Sequence, residues 1–229
     1  MKTVVISGAN RGIGLEFVKQ YLDDGWRVIA GCRAPESAFE LNKLQESGAL
    51  MVLPLNVVDQ SSRENFCRAV GDQPVHLFIN NAGIYGPKDA MLGNIDEQTW
   101  LEVLHVNTVA PLKMVELLHQ NLLATESATI AVLSSKMGSI SDNTSGGVYI
   151  YRSSKAAVNI VAKSLALDLA DDQIKVVALH PGWVQTEMGG PNALIDTQTS
   201  VGGMRRVISN LSQQQSGSFI SYDGTLIPW

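Results

Sequence analysis

The chain has 229 residues, with 22 acidic and 17 basic side chains, a formal net charge of −5, and only 17% charged residues against 45% apolar ones. A charged share below the usual roughly 25% excludes intrinsic disorder and points to surface covered in a homodimer or homotetramer. The acidic balance without a basic run argues against nucleic acid, and no apolar run approaches the ~18 residues of a membrane span.

The first apolar run, residues 3–7, meets a glycine loop before any signal-peptide core could form, so a cytoplasmic protein is expected. Further runs follow at 27–32, 50–55, 76–80, 128–134, 174–180 and 218–221. They are rich in Val, Ile and Leu without strict alternation, the pattern of strands buried on both faces of a parallel sheet. The stretches between them predict helices over about 12–24, 37–47, 60–71, 97–123, 149–171 and 200–213. No repeat, low-complexity tract or linker divides residues 1–229. The chain therefore reads as one Rossmann-type, doubly wound α/β domain, with about seven parallel strands and helices on both faces.

Directly after the first run comes Gly8-Ala9-Asn10-Arg11-Gly12-Ile13-Gly14. Glycines here let the backbone turn tightly, approach a pyrophosphate and start a helix whose first amides face the phosphates. An NAD site wants a carboxylate at the end of the second strand for the ribose 2′-hydroxyl. This chain has Cys32-Arg33-Ala34 there and no acid before Glu36, while Arg33 and Arg11 could flank a 2′-phosphate. The expected cofactor is NADP(H).

Tyr149-Ile150-Tyr151-Arg152-Ser153-Ser154-Lys155 opens the fifth predicted helix. Residues four apart share a helical face, so Tyr151 and Lys155 point the same way and Tyr149 does not. A neighbouring ammonium should lower a phenol's pKa from its ordinary value near 10, which makes a general acid/base of Tyr151. Three further turns follow predicted strands and converge on the same sheet edge: Asn80-Asn81-Ala82-Gly83, Ser134-Ser135 and Pro181-Gly182-Trp183-Val184-Gln185-Thr186. The four histidines lack ligand spacing, Cys32 and Cys67 form no CxxC pair, and no metal site is expected.

Taken in order, Gly8-x-x-x-Gly12-x-Gly14, Asn80-Asn81-Ala82-Gly83, Asn107, Ser134-Ser135, Tyr151-x-x-x-Lys155 and Pro181-Gly182-x-Val184-x-Thr186 resemble the short-chain dehydrogenase/reductase family over essentially the whole chain. Gly189-Gly190 and the ending Tyr222-Asp223-Gly224-Thr225-Leu226-Ile227-Pro228-Trp229 look like its branch of sniffer-type carbonyl reductases and C-factor proteins. The resemblance implies hydride transfer between nicotinamide and a small carbonyl or alcohol substrate. It implies Tyr151 as proton donor and Lys155 as the group that lowers its pKa and binds the ribose. Ser135 would bond the substrate oxygen, and Asn107 would hold a water that links Lys155 to solvent. Asn80, Ala82 and Gly83 would line the adenosine side, and Thr186 would touch the carboxamide. Asn56-Val57 stands where the family has Asp-Val beside the adenine. Ser135 lies 16 residues before Tyr151, a longer interval than usual, which keeps Ser134 and Ser139 as alternatives to Ser135. A binding or signalling protein that keeps the fold without its chemistry is the other function class; substrate identity should lie in 136–147 and 187–199.

Overall fold

All seven apolar runs form strands: β1 (Thr3–Ser7), β2 (Arg27–Cys32), β3 (Leu50–Pro54), β4 (Leu77–Asn80), β5 (Thr129–Leu133), β6 (Lys175–His180) and β7 (Ser218–Ser221). The computed structural model describes the backbone of residues 1–229 and every side chain except Glu46 and Ser47. The strands pair in parallel in the order β3-β2-β1-β4-β5-β6-β7. β1, β4 and β5 are buried at every position, which is why their sequences run apolar without alternation.

Seven α-helices cover the sheet: α1 (Gly12–Asp23), α2 (Phe39–Asn42), α3 (Gln60–Val70), α4 (Glu97–Leu104), α5 (Ala110–Leu123), α6 (Tyr149–Asp168) and α7 (Thr197–Asn210). Alternate strand residues feed two cores. Val5, Phe78 and Ile130 pack with Phe66 of α3, Leu118 of α5 and Val158 of α6 on one face. Val4, Ile6 and Ile79 pack with Phe17 of α1, Leu41 of α2 and Met204 of α7 on the other. Burial overrides propensity in α7. Its adjacent Gly202 and Gly203 each cost about 1 kcal/mol in a helix, whereas burying Val201, Met204 and Ile208 returns roughly 1.5–3 kcal/mol apiece.

Three predicted helices differ from those observed. The 37–47 segment is a four-residue α2 between 3-10 turns at Pro35–Ser37 and Lys43–Ser47, because only Leu41 of that helix is buried to hold it. The 97–123 helix slips through a π-helical turn at His105–Val109. α7 begins three residues early because the Asp196 carboxylate accepts the Thr199 amide at 2.7 Å as its cap. The chain crosses from one side of β1 to the other between β3 and β4. That reversal opens a crevice at the carboxyl ends of β1 and β4, where doubly wound sheets bind ligands. Among the described residues no helix is long and apolar enough to cross a membrane.

Candidate active site

The glycine loop lies between β1 and α1. Gly8 and Gly12 have left-handed backbone, φ +65° and +54°. A Cβ on Gly14 would come within 2.2 Å of the Gly8 carbonyl and 2.6 Å of Asn81 Nδ2, so the helix start packs directly on the loop. The N-cap residue Arg11 makes no side-chain cap bond, and α1 has no acid in its first turn. Among the described residues no side chain caps those first-turn amides, which leaves them open to an anion. Asn10 and Arg11 are exposed and Ile13 is half-buried. Arg11 pairs with Glu187 from the β6–α7 loop. Arg33 stands exposed one residue past β2, the parallel neighbour of β1. Asn56 and Val57 follow β3; Asn56 Oδ1 accepts the Val58 amide at 3.4 Å and the Asn56 backbone N–H donates to Ser62 Oγ at 2.9 Å.

Ser7 and Asn81, two residues that sequence reasoning did not single out for a role, stitch the crevice together. Ser7 Oγ accepts the amides of Asn81 and Ala82, both at 3.1 Å. Asn81 Nδ2 donates to the Ser7 and Gly8 carbonyls at 3.0 and 2.9 Å. A hydroxyl ending an otherwise apolar strand was the available signal. Beside them Asn80 is buried and its Nδ2 lacks a partner, an orphan donor at the floor of the crevice.

Pro181, Gly182, Val184 and Thr186 follow β6. Gly182 has φ +85°, and its missing side chain makes room for Ile195 and Tyr222. The Pro181 carbonyl accepts Ser200 Oγ at 2.6 Å, which ties the turn to α7. Val184 is buried, and Thr186 Oγ1 accepts the Gly189 amide at 3.1 Å. A Cβ on Gly12 would meet the Thr186 methyl at 3.3 Å, so this turn lies against the glycine loop.

Tyr151 and Lys155 share the buried face of α6, and Tyr149 is exposed, as helical spacing predicts. Ser135, one residue beyond Ser134 past the end of β5, stands near the Tyr151 phenol, and its Oγ accepts the Met137 amide at 3.2 Å. The other serines are committed elsewhere: Ser134 Oγ donates to Asn159 Oδ1 at 2.5 Å and Ser139 Oγ to the Pro228 carbonyl at 2.6 Å. The expected lowering of the phenol is not present. Burial pushes Tyr151 up to about 12, with Ser135 pulling the other way. The reason is position: Lys155 Nζ stands 5.6 Å above the ring centroid and donates to the Leu133 carbonyl at 2.8 Å. Burial in turn draws Lys155 down to about 8. Tyr85 stacks on Tyr151 at 4.5 Å.

Asn107 sits in the π-helical turn, buried, and its amide is largely engaged. Nδ2 donates to the Ile84 carbonyl at 2.8 Å and Ser154 Oγ at 3.0 Å, and Oδ1 accepts the Ile84 amide at 2.9 Å. A Cβ on Gly83 would lie 3.3 Å from Asn107 Oδ1 and 3.5 Å from Lys155 Nζ, so both atoms face the space this glycine leaves. The strand ends thus bring all the anticipated catalytic residues into one neighbourhood. Entry to α6 is itself unusual: Gly146, Gly147 and the β-branched Val148 are successively left-handed, with Val148 at φ 48°.

A phosphate-accepting loop at the switch point of a parallel sheet, with a buried tyrosine and lysine at the same edge, is the arrangement of a dinucleotide-dependent oxidoreductase. The chain belongs to the short chain dehydrogenase family, whose sequence profile matches residues 2–194. It is 42% identical over 164 residues to the C-signal protein of Myxococcus xanthus, covering 72% of this chain and 98% of that one. The carbonyl reductase Sniffer of D. melanogaster superposes with a TM-score of 0.94 at 35% identity, covering all of both chains. An NADPH-bound carbonyl reductase from chicken fatty liver superposes equally well at 36% identity, covering 100% of this chain and 99% of that one.

Proposed function

We propose that the protein is an NADPH-dependent carbonyl reductase, working in either direction between a carbonyl and its alcohol, with Tyr151 as general acid/base. The observation that carries this reading is the buried face of α6 that Tyr151 and Lys155 share, with the Lys155 ammonium 5.6 Å over the Tyr151 ring. The glycine loop with its open first-turn amides fits a pyrophosphate, the unpaired Asn80 Nδ2 is a donor for the adenosine side, and Arg11 and Arg33 suit a 2′-phosphate. Ala82, Gly83, Asn56 and Val57 would line the same groove, and Pro181, Gly182, Val184 and Thr186 its nicotinamide end. When bound, the cofactor supplies the hydride.

The chain's own residues handle the proton and the oxygen. Ser135 Oγ, held within the turn that follows β5, polarises the substrate oxygen by hydrogen bonding. Tyr151 gives its phenolic proton to that oxygen as the alcohol forms and takes it back in the reverse direction. A ligand drawing the Lys155 ammonium toward the phenol would lower its pKa from the value burial imposes. Asn107 holds Ile84 and Ser154 in place, and a water in the space at Gly83 would bond both Asn107 Oδ1 and Lys155 Nζ to replenish the proton.

A protein that only binds a nucleotide or a signalling partner has no use for a desolvated tyrosine and lysine, each of which costs folding free energy. NADPH oxidation assayed against aldehydes, ketones and quinones tests the proposal. Turnover of at least one class that disappears in Tyr151→Phe supports it; NADPH binding without turnover of any of them would favour the binding protein.

A further inference from the structure

We propose that the opposite end of the sheet holds a second binding site, for a small organic anion: a phosphomonoester or carboxylate carried on a compact apolar body. A cavity of about 610 Å³ opens there, lined by residues at the amino ends of β1, β4, β5 and β6 and in the last turns of α1 and α7. That volume falls within the ~300–1,000 Å³ of ordinary small-molecule pockets. Strands of four to six residues put it a full sheet width, roughly 15–20 Å, from the glycine loop.

Charge is the distinguishing feature. Lys2, Lys175, Arg205 and Arg206 line the cavity against a single carboxylate, Asp24. In a chain of net charge −5 this concentrates three uncompensated cations in one concavity, where low-dielectric walls focus their field. Arg205 is already committed, paired with Asp24, bonded to Gln20 Oε1 at 3.1 Å and stacked 4.6 Å over the Tyr21 ring. The other three are available. Lys175 gives one of its three protons to the Leu211 carbonyl at 3.1 Å, and Lys2 stands 5.5 Å over Trp26. Among the described residues, the Arg206 guanidinium makes no hydrogen bond or ion pair, and neither does the Lys2 ammonium.

His76 adds a neutral donor and an apolar lining completes the fit. Its Nδ1 accepts the Thr3 amide at 3.2 Å, which places the ring proton on Nε2. Burial and the nearby Lys2 hold His76 below its ordinary pKa, so an anion seated beside it would raise that pKa. Trp26 is half-buried among the lining residues, with Leu77 and Ile208 packed behind, an aromatic wall for the apolar body rather than for a bare hydrated ion.

The test uses enzyme saturated with NADPH, so that the cofactor's own phosphate positions are filled. Phenyl phosphate, benzoate, inorganic phosphate and neutral benzyl alcohol are titrated in turn, with the His76 ring protons followed by NMR. His76 reports this end alone, so the result does not depend on the cofactor assignment. Saturable binding of phenyl phosphate or benzoate with a rise in the His76 pKa is expected, and which of the two binds identifies the anion. Inorganic phosphate should bind at least tenfold more weakly than the better of them. Lys175→Gln/Arg206→Gln should weaken binding at least tenfold with turnover unchanged, and Arg206→Gln alone, at an exposed position, should weaken it several-fold without affecting folding. Absence of any saturable His76 shift, equal binding by benzyl alcohol, or unchanged affinity in both variants would overturn the proposal.

Discussion

Lys155 is held by the end of β5, not by the tyrosine four residues before it: its ammonium donates to the Leu133 carbonyl at 2.8 Å and passes 5.6 Å over the Tyr151 ring. The two groups are neighbours whose charges are not yet coupled at the hydroxyl. The proposed proton transfer by Tyr151 would therefore depend on three separate supports, namely the α6 face, the Ser135 hydroxyl and the position of the Lys155 side chain.

Tyr151→Phe keeps the ring and its stacking on Tyr85 while removing the hydroxyl. Turnover is expected to fall by roughly 10²–10⁴, the usual share of positioned proton transfer, with NADPH affinity little changed. Tyr149→Phe, at an exposed position, should stay within a few-fold of the parent. Steady-state kinetics at saturating NADPH would settle the order; an inactive Tyr149→Phe beside an active Tyr151→Phe would reverse the assignment.

Burial draws Lys155 down to about 8, so the folded protein binds fewer protons than the unfolded chain between that value and the ordinary 10.5. Burying the ammonium is costly below pH 8, and this cost fades as pH rises through the window. Replacing it by Met removes the titration and leaves only a pH-independent loss of the bond to Leu133. The melting temperature of Lys155→Met minus that of the parent should accordingly fall between pH 8 and 10. A flat difference would show that Lys155 does not titrate there. The same variant should lose turnover and, unlike Tyr151→Phe, also bind NADPH more weakly.

Arg33 offers its charge at the end of β2, where no carboxylate stands. NADPH is expected to bind at least tenfold more tightly than NADH, about 1.4 kcal/mol for each decade. Arg33→Asp should abolish or invert that preference. Equal affinities in the unmodified protein, measured by fluorescence titration, would remove the argument from Arg11 and Arg33.

Two glycines in helices should respond to alanine in opposite ways. At Gly14 the new Cβ would collide with the Gly8 carbonyl and Asn81, and a loss of about 1–3 kcal/mol is expected, with weakened cofactor binding. At Gly202 the nearest atom would be 3.8 Å away, so alanine should gain up to about 1 kcal/mol from helix propensity. Thermal denaturation of the two variants checks both signs.

Self-association is expected from apolar side chains left exposed on α4, the π-helical turn and α6: Leu101, Val109, Ile160 and Leu167 are 52%, 46%, 62% and 66% exposed. Light scattering should give the mass of two or four 24.7 kDa chains, and Ile160→Asp/Leu167→Asp should dissociate them. A single-chain mass for the unmodified protein would leave these residues without a covering partner.

The strands were legible in the sequence as short apolar runs, most plainly β1, β4 and β5, which are buried at every position, and least so at the edges, where β3 is partly exposed and β7 reads Ser-Phe-Ile-Ser. The helix over 97–123 was legible only as a broadly apolar stretch. The buried positions recur at three- and four-residue spacing straight through the π-helical turn, from Val103 to Asn107, Ala110 and Met114, so periodicity alone runs the two helices together, although Val103 packs with Ala90 and Ile150 and Met114 with the sheet core. Among site residues, spacing on one helix placed Tyr151 and Lys155 correctly. It could not reveal that burial, rather than their mutual charge, sets both pKa values, since that depends on strand ends far away in the chain. Nor could it distinguish Ser135 from Ser134 and Ser139, whose partners Asn159 and Pro228 lie 25 and 89 residues away.

The left-handed triplet Gly146-Gly147-Val148 has a bearing on how such a protein diversifies. A β-branched residue at φ 48° is strained, so it stays there only because its surroundings hold the entry to α6 in place. Arg152 reinforces this joint by bonding back to the Met137 carbonyl at 3.3 Å and Ser145 Oγ at 2.9 Å. Changes between residues 139 and 144 leave this brace in place, so sequence there can be redrawn without releasing the start of α6, whereas a change at Ser145 removes one of the two bonds by which Arg152 holds the joint.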